Sequence, residues 1–212
     1  MIKGDIATDK DKPKQGARQR NAIKRREHLS SVVMQMVSEK GFDAISVNDV
    51  AERASMSVGG LYRHINTKND LLEMICDSIN SDLILDLKKA AADVKGVSNK
   101  LRAAYSFYWN RHWEASAGIL VAYREYRSLS EATKQRYLDE EEEVVKFLGD
   151  IIRAGILIEE FREVDEYLLG HEMVFLAHMK ALKGWSMRNH QQEDVLNEHL
   201  EMIFSRLMFK DS

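Results

Sequence analysis

An all-α chain is predicted, of nine helices: a three-helix N-terminal head followed by a six-helix body. Two observations carry this. A single Pro and only 11 Gly occur in 212 residues, in a composition rich in the helix formers Glu, Lys, Leu and Ala. Apolar residues recur at i, i+3, i+4 and i+7 from about Ile23 to Phe209. No internal repeat is found.

Residues 1–21 read as a flexible basic arm, polar, with Lys10, Lys12, Lys14, Arg18 and Arg20 and almost no apolar anchor. They form either a solvated tail or an arm reaching phosphates or the minor groove, the arm being strongest for Arg18 to Lys24. The first helix spans about Ile23 to Lys40, with Leu29, Val32, Val33, Met36 and Val37 as its buried stripe. Gly41 stops it, and Phe42 packs back.

The stretch Ser46 to Lys68 organises the rest. Ser46 stands three residues before Asp49, an acidic form of the capping box. Val47, Val50 and Ala51 then fit a short second helix to about Ala54. After the turn Ser55-Met56-Ser57, Ser57 caps a third helix with Leu61 inward and Tyr62, Arg63 and His64 near its exposed end. Thr67, with Asp70 three residues on, caps a fourth helix carrying Leu71, Leu72, Ile75, Ile79 and Leu83, continuous to about Val94. Two short helices about a tight turn are a helix-turn-helix, whose second helix enters the major groove.

Gly96 to Asn99 breaks the pattern. A fifth helix then carries Leu101, Tyr105, Tyr108, Trp109 and Trp113, and a sixth covers about Ala115 to Arg127. The seventh runs from the cap Ser130 to about Ala154, with Tyr137, Val144, Phe147, Leu148 and Ile151 inward and the acidic run Asp139 to Glu143 read as a solvated face. After a connection at Gly155 to Arg162, the eighth spans about Val164 to Met187 and the ninth about Glu193 to Phe209. Both are apolar on more than one side, which calls for a partner surface.

Residues 1–70 hold 13 Lys/Arg against 9 Asp/Glu, and the remainder 18 against 25. A basic head on an acidic body suits nucleic-acid binding by the head alone. The one cysteine, Cys76, precludes an intrachain disulfide, fits a reducing cytoplasm and sits among apolar neighbours, where burial is expected. No apolar run approaches the roughly 18 residues of a membrane span, and the charged N-terminus does not look like a signal peptide. No membrane partner and a cytoplasmic location are expected.

Asp49-Val50-Ala51, Leu61-Tyr62-Arg63-His64, Thr67-Lys68 and Asp70-Leu71-Leu72 together resemble the TetR/AcrR family of transcriptional regulators, closely over about Leu29 to Met74 and by helical layout beyond. Ser55 stands where the family usually has Gly, in a position that favours a left-handed backbone, at a cost on the order of 1 kcal/mol. Gly60 replaces a common Thr and Ile65 a common Phe. The resemblance implies a helix-turn-helix DNA-binding domain at 22–67 and a ligand-binding and dimerisation domain at 68–212. It places Ser57, Tyr62, His64 and Lys68 on DNA phosphates, to which the start of the second helix adds Ser46. Base reading falls to Asn48, Val58, Gly59 and Tyr62; Asn pairs bidentately with adenine. Lys68 opposes the dipole of its own helix, and a phosphate docked there would satisfy both. Gly59 and Gly60 leave no side chain between backbone and DNA. The last two helices imply a four-helix homodimer interface.

Enzyme motifs are missing: no Gly-rich phosphate loop, His-Glu-x-x-His helix or Gly-x-Ser-x-Gly elbow occurs. No cofactor and no metal are expected, although His171 and His178, seven apart on one helical face, leave a metal-responsive regulator as an alternative. The other alternative is a constitutive regulator. The aromatic wealth of the body favours a ligand site among the fourth to eighth helices, lined by Trp109, Trp113, Tyr123, Phe147 and Phe175, with His112, Arg124 and His178 as polar groups. Tyr123-Arg-Glu-Tyr-Arg-Ser-Leu-Ser and Phe161-Arg162-Glu163-Val164-Asp165 resemble TetR-type regulators of fatty-acid and acyl-CoA catabolism. The expected function is a ligand-responsive repressor that binds a palindromic double-stranded operator as a homodimer and is released by a small organic effector, an acyl-CoA or an aromatic acid.

Overall fold

The computed structural model describes residues 12–209, with side chains from residue 24 onward. Among these residues all regular structure is helical, and two compact units divide near Leu71. Residues 1–11 of the basic N-terminal segment lie outside the described residues.

In the first unit, α1 (Lys12–Lys40) starts earlier than the apolar period suggests, so residues 12–21 of the expected flexible arm are helical. Helix formation needs no apolar stripe, and Pro13 fits a first turn, where its missing N–H costs nothing. The expected stripe is buried from Leu29 to Val37, and Gly41, at φ 77°, ends the helix. α2 (Val47–Arg53) and α3 (Val58–Leu61) follow. Phe42, Ile45, Val50, Ala51, Ala54, Leu61 and Ile65 close a small core with α1. Two ion pairs tie α1 to α2: Arg53 donates through its two terminal guanidinium nitrogens to Glu39, and Lys40 reaches Asp49 at 3.1 Å.

α4 (Lys68–Asn80) leads into the second unit. The predicted continuous helix to Val94 is broken: Asp82 lies at φ 55° and α5 (Leu83–Ala92) starts after it. Asn80-Ser81-Asp82 are turn formers whose side chains compete with the helical backbone. Next come α6 (Val97–Glu114) and α7 (Ser116–Glu125), then a single 3₁₀ turn. α8 (Glu131–Leu157) is capped as expected by Ser130, but runs past Ala154 into the predicted connection. Gly155 lets it do so. A Cβ there would stand 2.2 Å from the ring of Phe161, which folds back and is fully buried.

The predicted eighth helix is two, α9 (Glu166–Ala177) and α10 (Met179–Met187), broken at His178 and kinked at Lys183, whose φ is −132°. α11 (Gln192–Leu207) completes the body. α6 is the central helix, touching α5, α7, α8, α9 and α11. α8 and α9 approach closely because Gly170 sits against Val145, where a Cβ would meet the valine methyl at 3.0 Å. Among the described residues no helix is long and apolar enough to cross a membrane.

Candidate nucleic-acid interface and polar interior of the body

The turn region of the first unit is built by caps. Ser46 Oγ accepts from Asp49 N–H at 3.1 Å, and Asp49 Oδ2 accepts from Ser46 N–H at 3.0 Å. These hydrogen bonds hold the Asp49 carboxyl below its usual range, with Lys40 adding to them. Ser55 takes φ 54°, the left-handed turn read from sequence, and Met56 N–H bonds back to the Ala51 carbonyl at 2.8 Å. Ser57 Oγ accepts from Gly60 N–H at 3.0 Å.

This leaves Ser46, Asn48, Ser57, Val58, Gly59, Tyr62 and His64 solvent-exposed around α2, the turn and α3. Half of the Tyr62 surface is open. Gly59 meets nothing within 4 Å of a built Cβ, so its backbone is open to approach. Gly60 is different. It is buried, and a Cβ there would meet Ser57 Oγ at 3.0 Å. Its lack of a side chain serves the cap of α3 rather than a DNA-facing surface, which corrects the reading of the pair.

Lys68 is half-buried and engaged within the head. Its ammonium donates to the Asp43 carbonyl at 3.1 Å and lies 4.9 Å from the Phe42 ring centre. It clips the start of α4 to the α1–α2 loop. The cap of α4 also differs from expectation. The Asp70 carboxylate accepts from the N–H groups of Asn66 and Thr67, and the Thr67 hydroxyl donates to Asp70 at 3.0 Å. Negative charge at this helix start is therefore already supplied by the chain.

In the second unit the predicted ligand-site residues part into groups. His112, Tyr123 and His178 come together. Tyr123 Oη meets His178 Nδ1 at 3.0 Å and Tyr108 Oη approaches His178 Nε2 at 3.4 Å. His112 Nδ1 donates to the Tyr108 carbonyl at 2.8 Å, and its ring lies 5.0 Å from that of His178. Burial disfavours the charged rings, pushing His112 down to about 4 and His178 down to about 3. Trp109 and Trp113 stack at 4.7 Å, and Trp109 Nε1 donates to His199 Nδ1 at 2.9 Å. Trp109 is thus a packed core residue rather than a cavity wall.

The others lie apart. Phe147 lines a groove between α5, α6 and α8. Phe175 is 59% exposed and lines a second groove with Leu168, Leu176 and Met202, on α9 and α11. Arg124 is on the surface. Helical phase explains the scatter: aromatic content says nothing of which face each ring occupies.

Sequence reasoning missed a cavity of about 350 Å³ lined by Ala122, Tyr123, Tyr126, Leu129, Tyr137, Leu138 and Glu141. Glu141 belongs to the acidic run taken as a solvated face, yet it is half-buried. Desolvation raises its carboxyl, with His171 Nδ1 at 3.8 Å opposing. Its neighbour Glu140 accepts from Asn80 Nδ2 at 2.7 Å. The signal was present: five consecutive residues at about 100° each pass right round a helix, so such a run cannot lie on one face. His171 and His178 sit in separate surroundings, and among the described residues no three His, Cys, Asp or Glu side chains are grouped to hold a metal ion. Cys76 is buried, its thiol pushed up to about 12 mainly by desolvation, and so is a poor nucleophile.

Comparison with known proteins meets this geometry at both ends of the chain. Residues 32–75 match the family of bacterial regulatory proteins named tetR, and residues 95–203 match the Tetracyclin repressor-like C-terminal domain. The HTH-type transcriptional regulator HbdR of Aromatoleum sp. (strain CIB) is 24% identical over 165 residues, covering 76% of this chain and 71% of that protein. A tetR-family regulatory protein from Rhodococcus RHA1 superposes with a TM-score of 0.76 at 20% identity, over 89% of this chain and 99% of the other. AibR, solved with isovaleryl coenzyme A and operator DNA, gives 0.69 at 17% identity, over 85% and 98%. The first match falls on the capped helix-turn-helix and the second alone spans just over half of the chain. The chain belongs to the TetR family of transcriptional regulators.

Proposed function

We propose that the protein is a ligand-responsive repressor that binds a palindromic double-stranded operator as a homodimer and is released by a small organic effector. The exposed face of α2, the turn and α3 carries this reading. Its caps are satisfied internally, so Asn48, Val58, Gly59 and Tyr62 are free to meet base edges while Ser46, Ser57 and His64 meet phosphates. Lys68 contributes less to DNA than His64, because its ammonium is already spent on Asp43 and Phe42.

The dimer is supported by the open apolar groove of α9 and α11, where Leu168, Phe175 and Met202 are each about half exposed. A palindrome suits a twofold dimer, whose heads enter successive major grooves about 34–36 Å apart. The effector reading is supported by the polar cluster and cavity of the body. The likeness to AibR makes an acyl-CoA the first compound to try, with an aromatic acid second.

Operator fragments selected from random sequence and titrated by fluorescence anisotropy test the reading. Affinity falls with salt in proportion to the phosphates neutralised, at a slope of about 0.9 per contact. His64→Ala is expected to weaken affinity more than Lys68→Ala, whereas Asn48→Ala relaxes sequence preference. Unchanged affinity of all three variants at two salt concentrations would remove the helix-turn-helix from the binding face.

A further inference from the structure

Taking the body as the part that binds the effector, we propose that the cavity between α7 and α8 receives an organic cation, an amine or quaternary ammonium with an apolar body. Three tyrosines, Tyr123, Tyr126 and Tyr137, line it, and Glu141 supplies its carboxyl. Aromatic faces attract cations through their quadrupole, more strongly when desolvated. The chain shows the interaction in place: Lys134 Nζ lies 5.8 Å from the Tyr126 ring centre while pairing with Glu131 at 2.7 Å.

Glu141 sets the sign. A carboxyl drawn part-way out of water, with only an imidazole at 3.8 Å to balance it, is destabilised as an anion. A ligand cation repairs this deficit; a ligand anion worsens it. Of the acidic run only Glu141 lines the cavity, while Asp139, Glu140 and Glu142 bond to Gln135, Asn80 and Tyr167. The opposing positive groups are engaged: Lys134 with Glu131, and Arg136 with Asp77. About 350 Å³ lies in the range of small-molecule sites. The phosphates of an acyl-CoA and the carboxylate of an aromatic acid are both wrong in charge for this lining. A cation therefore suits this cavity better than the acyl-CoA or aromatic acid that likeness suggests. Tyr123 connects the cavity to the interior, since its hydroxyl holds His178 at the break between α9 and α10.

The test is calorimetric titration of the full chain with benzyltrimethylammonium, its neutral isostere 2,2-dimethylpropylbenzene and the anion benzylsulfonate, without DNA. The cation is expected to bind at least tenfold tighter than the isostere and the anion not at all. Glu141→Gln should cut the cation's preference over the isostere at least threefold, leaving the part that the tyrosine faces supply. Tyr126→Leu, at a partly exposed position, should weaken the cation at least fivefold with the unfolding temperature unchanged. Equal binding of cation and isostere, tighter binding of the anion, or a preference that Glu141→Gln leaves unchanged would each overturn the proposal. Operator binding is measured separately. An acyl-CoA that releases the operator while the cation fails to bind sinks the cation and keeps the repressor, whereas failure of the head to bind DNA leaves the titration standing.

Discussion

Lowering the pH from 7 to 5 should destabilise the body through its buried histidines. His112 and His178 are held near 4 and near 3 by desolvation, against about 6.5 in an unfolded chain. Between pH 6.5 and 4 the unfolded chain binds a proton at each position and the folded chain does not. Stability therefore falls as pH falls, by about 1.4 kcal/mol per pH unit for each ring. At pH 5 that is roughly 2 kcal/mol per histidine and about 4 for the pair as an upper bound. Set against a typical total of about 5–15 kcal/mol, this is a large share. His199, also lowered by burial, acts in the same direction. Glu141 acts in the opposite one: its raised carboxyl takes up a proton in the folded state first, so it gains stability as pH falls toward 4.5. Glu39, Asp49 and Asp70, held low by hydrogen bonds and ion pairs, lose their contribution only below about pH 4.5, outside the window. Urea unfolding followed by helical circular dichroism at pH 7, 6 and 5 reads the slope. His178→Phe should be less stable at pH 7, because Tyr123 and Tyr108 lose a partner, yet show a shallower pH dependence. Equal midpoints at pH 7 and 5 in the parent chain would refute the buried-neutral assignment.

Three further outcomes follow from the backbone and the surface. Ser55→Gly relieves a left-handed backbone and should raise the stability of the head by about 1 kcal/mol, seen as a higher urea midpoint with m unchanged. Gly155→Ala drives a methyl into the buried Phe161 ring and should cost roughly 1–3 kcal/mol, read by thermal unfolding; a neutral effect would mean that Phe161 does not fold back on α8. Phe175→Glu places a charge in the open α9–α11 groove and should shift the chain from dimer to monomer in light scattering at micromolar concentration. A parent chain that is already monomeric there would remove the dimer proposal.

What the sequence disclosed was local. The reciprocal Ser46–Asp49 cap and the Ser57 cap each join residues three positions apart and were legible from type and spacing, whereas the left-handed turn at Ser55 was legible only through the resemblance to a family that usually has Gly there. The buried stripe of α1 was equally legible, because a 3.6-residue period writes one face directly. The helix break at His178 was not, and that at Asp82 was written only in the turn formers Asn80-Ser81-Asp82. Each interrupts an apolar pattern that carries on across it in phase, and neither position is Pro or Gly. The polar interior was half legible. Aromatic content flagged Tyr123, His112 and His178, but Tyr123 and His178 stand 55 residues apart and Trp109 and His199 stand 90 apart, and only the packing brings them together. Ile203, in the apolar pattern of the last helix, is buried within its own chain, so the exposed apolar face is narrower than that pattern suggests.

If the body binds an effector and the head binds an operator, the two affinities are linked whatever the route. The effector weakens DNA binding only by the ratio of its affinities for the DNA-competent and released states, typically about 1–3 kcal/mol or 5–150-fold. The operator must then weaken effector binding by the same factor. α4 offers a physical path with identifiable parts. It begins at Lys68, clipped to the α1–α2 loop through Asp43. Near its other end, Arg136 pairs with Asp77, Asn80 donates to Glu140, and Arg111 donates to the Ile79 carbonyl. Arg136 and Glu140 directly precede Tyr137 and Glu141 of the cavity. A ligand that moves Tyr137 and Glu141 would act one residue along α8 from each of the two side chains that hold the end of α4. Cutting those ties with Asn80→Ala and Asp77→Ala should leave effector affinity without DNA near the parent value and shrink the reciprocal factor toward one. A factor unchanged in the double variant would show that coupling runs elsewhere.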